Sequence, residues 1–200
     1  MKNSEKIILD LCGGTGAWSK PYKDAGYDVR VITLPMFDVT DPYIQETCVN
    51  LKPYGILAAP PCTMFSLART KAKKPRDLKE GMRIVKACMD IIWEARGKNK
   101  LAFWALENPM GYLRQFLGKP KFTFDPSEFG GDYNKTTDIW GYFNEPPKGK
   151  KTRYASTDKN TRNLPAIPAD YKIDDKMTPL QIKRSITNKG FAEAFFKANP

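Results

Sequence analysis

The stretch Lys6-Ile7-Ile8-Leu9-Asp10-Leu11-Cys12-Gly13-Gly14-Thr15-Gly16 decides how this chain is read. Its apolar run is short and ends in glycines, so the pattern predicts a buried strand that breaks into a glycine-rich turn. Such a turn lets the backbone approach a nucleoside ligand closely. The third glycine of a G-x-G-x-x-G pattern is missing, since Ser19 stands there, and no P-loop lysine follows the glycines. Both departures weaken a dinucleotide or ATP reading. A structural turn without ligand is the plain alternative.

Outward from this strand, elements alternate. A helix is expected from Trp18 to Ala25, stopped by Gly26, and a strand from Asp28 to Leu34. Pro42 suits the first position of a helix reaching Asn50. Gly55-Ile56-Leu57-Ala58-Ala59 reads as a second buried strand, ended by Pro60-Pro61. Leu78 to Arg96 is the strongest helix, with Met82, Val85, Met89, Ile92 and Trp93 on one face. Phe103 to Leu106 reads as a strand ended by Glu107-Asn108-Pro109, and Ile139 to Phe143 as a further one. Thr178-Pro179-Leu180-Gln181 has the N-cap, N1 and N3 residues of a helix start. A last helix is expected from Phe191 to Ala198, packing Phe191 and Phe195 inward.

This alternation predicts an α/β fold with a parallel sheet and helices on both faces. Ligands of such sheets bind at the carboxyl ends of strands. Three unusual segments fall there: the Gly13–Gly16 turn, Pro60-Pro61-Cys62 and Glu107-Asn108-Pro109.

The 200 residues suit one domain with a small appendage. A hydrophobic fraction of 41% supplies an ordinary core. The net charge is +11 with no histidine, so it comes from Lys and Arg and favours polyanions. Zero histidine excludes a Ser-His-Asp triad, a His-zinc hydrolase and a Cys-His protease. Four cysteines at 12, 48, 62 and 88 form no C-x-x-C pair, so no metal site is expected and a reducing cytoplasm fits. No apolar run approaches the roughly 18 residues of a membrane span, so no membrane partner is expected.

Two of the three segments carry reactive groups. Cys62, held by two prolines just past a buried strand, sits on a stiff platform suited to a nucleophile if something favours its thiolate. Arg69, Lys71, Lys73, Lys74 and Arg76 follow without an acid among them, placed to favour the thiolate and to bind phosphates. Glu107 at a strand end is a candidate acid. Taken singly, an inert cysteine and a turn glutamate are the simpler readings.

Together the segments resemble the C5-cytosine DNA methyltransferase family, and in particular its small phage-type members, over nearly the whole chain. Asp10 to Trp18 is similar to the family's first motif, Pro60-Pro61-Cys62 with Phe65-Ser66 to its Pro-Cys motif, and Glu107-Asn108 to its Glu-Asn motif, in the same order. Phe129 to Trp140 resembles a later motif and Arg184-Ser185-Ile186-Thr187 the closing one. Amino-group methyltransferases of DNA carry an aromatic residue where Cys62 stands, which argues against that reaction.

The resemblance implies a Rossmann-like class I sheet binding S-adenosyl-L-methionine (AdoMet), with Asp10, Cys12, Gly14, Thr15, Gly16, Trp18, Asp38 and Pro60 around the cofactor. It implies catalysis by Cys62 and Glu107, with Lys135 supporting the flipped base or Cys62. Ser66, Arg69, Lys71, Lys73, Lys74, Lys150, Lys151 and Arg153 are the expected nucleic-acid contacts. DNA is the expected partner, with RNA the closest alternative and a silent nucleic-acid binder the rival from another class. Cys12 stands in place of the family's usual phenylalanine, and Leu34-Pro35 stands where an acid for the ribose is expected. The implied organisation is a catalytic domain over 1–143, a minimal basic target-recognition segment over 144–177, and a helical part over 178–200 returning to the catalytic domain.

Overall fold

The computed structural model describes residues 1–67, 69, 72–151, 164–169, 171 and 178–200. The predicted contact residues Lys71 and Arg153 lie outside the described residues, as does most of the predicted recognition segment.

Six strands form one sheet: β1 (Ile7–Leu11), β2 (Asp28–Ile32), β3 (Gly55–Ala58), β4 (Phe103–Pro109), β5 (Phe122–Phe124) and β6 (Thr137–Tyr142), in the order β2-β1-β3-β4-β6-β5. β1 to β4 are parallel, as expected, but β6 runs antiparallel to both β4 and β5. The sheet is therefore mixed. Sequence order reverses direction between β1 and β3, which opens a crevice at their carboxyl ends.

Alternate residues along the inner strands feed two cores. Leu9, Leu11, Ile56, Ala58 and Leu106 join Val49, Val85, Cys88 and Ile92 of α2 (Pro42–Asn50) and α3 (Leu78–Lys98) on one face. Ile8, Leu57, Phe103 and Ala105 join Tyr22 of α1 (Lys20–Asp24) and Phe191 and Phe195 of α6 (Lys189–Ala198) on the other. Such two-sided burial requires near-continuous apolar strands, which β1 and β3 have.

The helix ends follow local chemistry. Asp41 caps α2, with Pro42 at its first turn, and Asp77 caps α3 through the Glu80 amide. α5 (Pro179–Ser185) begins with the capping box of Thr178 and Gln181 that the sequence announces. The expected apolar face of α3 is found except at Trp93: Val85 and Ile92 are buried and Met82 and Met89 pack against the same core, while Trp93 is 51% exposed and lies edge-on to Trp104. Cys88, Ile91 and Ala95 add to this buried face, and Gly81 meets the Phe65 ring. Small residues let this helix approach closely: a Cβ on Gly81 would come within 2.9 Å of the Phe65 ring.

Glu107-Asn108-Pro109 does not end its strand as expected. It continues β4 beyond Ala58, the last residue of β3, because β6 pairs with it through Ile139, Asp138 and Thr137. A short helix α4 (Arg114–Leu117), strand β5 and a 3-10 turn at Pro126–Phe129 complete this edge. The edge is tied by Asp138, whose side chain is fully buried. Arg114 donates to both its oxygens at 2.7 Å and the Thr123 hydroxyl donates to one at 2.7 Å. Among the described residues, no helix is long and apolar enough to cross a membrane.

Removing this carboxylate leaves a half-exposed guanidinium and a hydroxyl without their acceptor. Asp138→Ala is expected to lose about 3 kcal/mol of unfolding free energy. Urea denaturation measures this, and a loss below about 0.5 kcal/mol would place the pair among ordinary surface ion pairs.

Candidate active site

Three chain segments converge beyond the carboxyl ends of β1, β3 and β4. After β3, Ala59-Pro60-Pro61 leads to Cys62, which opens a turn: the Phe65 and Ser66 amides both donate to the Cys62 carbonyl at 2.9 Å. Arg76 clasps this turn. It donates to the Met64 and Ser66 carbonyls at 2.9 Å, and its guanidinium lies over the Tyr112 ring. The turn rests on the exit of β4 through a bridge between Ser66 and Gly111 and a bond from the Tyr112 amide to the Phe65 carbonyl. Gly111 admits that approach, since a Cβ there would sit 2.3 Å from the Phe65 oxygen.

Asn108 makes the second link. It is fully buried, and its side-chain amide donates to the Pro60 carbonyl at 2.9 Å. Adjacent Glu107 points to the other side of β4, toward Lys135, whose ammonium lies 3.5 Å from Oε1. A water-sized cavity of about 10 Å³ adjoins this pair, lined by Glu107, Tyr133, Lys135, Thr137, Thr187 and Asn188. Tyr133 and Asn188 share this cavity lining, and burial raises the tyrosine above its ordinary pKa against the lowering influence of Lys135 and the nearby Asn188 side chain.

Electrostatics joins Cys62 to these groups. Burial pushes its thiol up; Lys135 pulls it down, the Glu107 carboxylate pushes it up, and Arg184 of α5 pulls it down. The net displacement is upward. Among the described residues, the cations acting on the thiol are Lys135 and Arg184 rather than the expected Arg69, Lys73, Lys74 or Arg76, while Lys71 of that run lies outside the described residues. Arg76 is instead engaged with the turn's carbonyls, and Arg69 donates to the Pro75 carbonyl at 3.3 Å. Lys135 in turn feels burial, which lowers its pKa, but Glu107 and Cys62 outweigh this and raise it.

The glycine turn lies at the exit of β1. Cys12, Gly14 and Gly16 all have positive φ, at 55°, 54° and 68°. Asp10 is fully buried beneath them, and a Cβ on Gly13 would strike its carboxyl group at 2.4 Å, so a glycine is required there. Ser19 donates to Asp10 Oδ2 at 2.6 Å. Oδ1 has no partner among the described residues. Space is open at the Gly14 Cβ position. A buried carboxylate oxygen without a donor, below an open glycine turn, fits a ligand bearing N–H or O–H groups.

The other predicted cofactor contacts are placed less simply. Trp18 has its ring in the core, packed against Phe191 and Phe195. Asp38 is exposed, and its Oδ1 accepts from the Thr40 amide and hydroxyl, which hold its pKa low. Pro60 is buried, its carbonyl engaged by Asn108. After β2, Leu34, Met36 and Phe37 are exposed apolar side chains, with no carboxylate at Leu34-Pro35 for a ribose.

Among the predicted nucleic-acid contacts, Lys73, Lys74, Lys150 and Lys151 are exposed, and Ser66 and Arg69 are half-buried by the nucleophile turn. Lys151 lines a second cavity of about 380 Å³ with Thr123, Asp125, Asn134, Thr136 and Lys148. Alternate residues of 134–137 thus serve two cavities. Compared with protein-family models and with curated proteins, the chain matches none. Among the described residues, no group of three or more Cys, Asp or Glu is placed to hold a metal ion.

Ser19, Tyr133 and Arg184 join the site beyond the residues the sequence singles out: Ser19 stands where a dinucleotide pattern has glycine, and Tyr133 and Arg184 lie inside the later and closing motifs without a role of their own. No local signal marks Asn188.

Two expectations follow. Alkylation of Cys62 by iodoacetamide should be slow at neutral pH and rise only above the usual thiol range. Lys135→Ala should shift that profile to higher pH and Glu107→Gln to lower pH, read by peptide mass mapping. Unmoved profiles would separate both groups from the thiol.

Asp10 gives the second. Burial pushes its carboxyl up from the usual 3.8 to about 6, against the lowering effect of its bonds from Ser19. The folded state thus binds a proton that the unfolded chain releases between about pH 4 and 6. Stability falls as pH rises through that window and is level above it. At about 1.4 kcal/mol per tenfold in acid constant, the ionised carboxylate costs up to about 3 kcal/mol. Asp10→Asn should therefore be about 1–3 kcal/mol more stable than wild type at pH 8 and about equal at pH 3.5, by urea denaturation at the two pH values.

Proposed function

We propose that the chain is an AdoMet-dependent methyltransferase that modifies C5 of cytosine in DNA, with Cys62 as its nucleophile. The observation that carries this reading is the bond from Asn108 to the Pro60 carbonyl, which ties the Cys62 turn to the strand end that carries the Glu107–Lys135 pair, next to the β1 strand that ends in a glycine turn over buried Asp10. A thiol, a carboxylate and two cations at one strand-end crevice suit addition to an electron-poor ring.

Cytosine C5 is a poor nucleophile. Addition of the Cys62 thiolate to C6 makes C5 enamine-like, with negative charge spread toward N3. Glu107 holds N3 and the exocyclic amine, so that N3 gains a proton as this charge develops. A Glu107 engaged in that way no longer repels a thiolate, and Lys135 and Arg184 then favour the charged form of Cys62. Loss of the C5 proton and elimination of Cys62 return the thiol and restore the aromatic ring.

Asp10, Cys12, Gly14, Thr15, Gly16 and Pro60 would hold AdoMet, which supplies a methyl group activated by a sulfonium. The unpartnered Asp10 oxygen offers an acceptor there, while the apolar Leu34–Phe37 segment offers no carboxylate to the ribose. The base must leave its stack, since C6 is not reachable inside a duplex. Lys73, Lys74, Lys150 and Lys151 would contact phosphates, which positions the strand without reading it.

Covalent trapping tests this. The protein, AdoMet and DNA containing 5-fluorocytosine are expected to give a band resistant to denaturation, lost in Cys62→Ala. A band with RNA alone would move the substrate to RNA. No band with any substrate, together with unchanged binding to DNA, would leave a silent nucleic-acid binder.

A further inference from the structure

Of the four cysteines only Cys62 is a proposed nucleophile, and two of the other three touch each other. Cys12 begins the glycine turn after β1 and is half-buried; Cys88 lies mid-way along α3 and is fully buried. Their sulfurs are 3.9 Å apart although 76 residues separate them in sequence. Cys48 of α2 is close enough to act electrostatically on Cys88, so this contact sits in the core between α2, α3 and the turn.

We propose that Cys12 and Cys88 are a redox modification site: hydrogen peroxide converts them to a disulfide that draws the glycine turn onto α3 and closes the cofactor cradle. The bond itself is independent of the assigned activity; its effect on the cradle rests on the methyltransferase reading.

The chemistry balances in two steps. Peroxide transfers one oxygen to the Cys12 sulfur, giving a sulfenic acid and one water. The Cys88 sulfur then attacks the Cys12 sulfur, its S–O bond breaks, and a second water leaves with the Cys88 proton. Two thiols and one peroxide thus give one disulfide and two waters. Cys12 takes the first step because it is the accessible partner. The second step is slow at neutral pH, since the contact with Cys12 and burial hold the Cys88 thiol well above its ordinary range.

A disulfide needs its sulfurs at about 2.05 Å, so the pair must close by roughly 1.9 Å. α3 spans 21 residues and buries seven of them, so it is the fixed partner. The displacement therefore falls on Cys12 and the glycine turn after it, which is held by the bonds from the Cys12 amide to the Ile32 carbonyl and from the Gly16 amide to the Gly13 carbonyl rather than by a buried helix face. Asp10 and the open space at Gly14 lie under and beside that turn. Cys62 lacks such a partner, so its oxidation stops short of an internal disulfide.

The test is peptide mass mapping of folded protein treated with hydrogen peroxide, alkylated in denaturant, with Cys88→Ala and Cys62→Ala in parallel. A linked peptide containing Cys12 and Cys88, two hydrogens lighter than the separate thiols, is expected in wild type and Cys62→Ala and absent from Cys88→Ala. Cys48 should remain alkylated, and dithiothreitol should reverse the link. Equilibrium dialysis should show AdoMet affinity reduced about tenfold or more by oxidation in Cys62→Ala, but not in Cys62→Ala with Cys88→Ala. Cys12 recovered alkylated or as a higher oxide, without the link, would overturn the proposal. A link with unchanged AdoMet affinity would overturn the closure. Reduced protein that never binds AdoMet would sink the methyltransferase reading and the closure with it, while the linked peptide would still decide the bond.

Discussion

The buried bond from the Asn108 side chain to the Pro60 carbonyl is the constraint on which the site depends. Pro60 and Pro61 have no amide hydrogen, so the chain leaving β3 cannot continue a strand ladder. Something else must hold it against the sheet. Asn108 does so from the adjacent strand, where it is fully buried: its amide nitrogen donates to Pro60, while its Oδ1 has no partner among the described residues. Consecutive side chains of a strand point to opposite faces, so fixing Asn108 toward Pro60 turns Glu107 the other way, toward Lys135. One hydrogen bond thereby sets both the nucleophile turn and the carboxylate.

That arrangement requires β4 to outlast its parallel neighbour. β3 stops at Ala58, opposite Leu106, and only the antiparallel pairing with β6 keeps Glu107 to Pro109 extended. The Asp138 cluster with Arg114 and Thr123 secures β6 to α4 and β5. The outer edge of the sheet is thus part of the site's support, although none of its residues was singled out as reactive. Lys135, just before β6, inherits its position from the same pairing.

Much of this was legible in the sequence, for local reasons. β1 and β3 are apolar runs closed by glycine or proline, and α2 and α5 carry a proline at the first turn with a capping residue before it. Cys62 and Glu107 stand out at strand ends, yet their pairing, and Lys135 altogether, come from the family resemblance rather than from any local pattern. What escaped depends on contacts distant in sequence. β5, α4 and the antiparallel course of β6 have too few residues to show a period. The face of α3 is legible at Met82, Val85, Met89 and Ile92, but Trp93 lies at its exposed margin, and the small residues Gly81, Cys88 and Ala95 that complete the buried face carry little hydrophobic signal. Tyr133 and Arg184 lie within quoted motifs but acquire a place at the site only through contacts distant in sequence, and Asn188 joins it with no local pattern at all.

The same close approach of α3 has a chemical consequence. A helix lined with small residues brings a cysteine sulfur to within contact of the glycine turn at the end of β1. Glycines make that turn able to lie over a ligand, and for the same reason they leave it poorly braced by side chains. Asp10 below it is held only by Ser19 among the described residues and carries an oxygen with no donor. That turn is open above Gly14 and has an unpartnered carboxylate oxygen below, while its backbone is tied by the Cys12 amide to the Ile32 carbonyl and by the Gly16 amide to the Gly13 carbonyl. The Cys62 turn is instead clasped by a side chain, Arg76, and joined to β4's exit by the bond from the Tyr112 amide to the Phe65 carbonyl. Side-chain bracing is thus placed at the nucleophile and backbone bracing at the glycine turn, which leaves the space over the glycines open while the thiol is held in place.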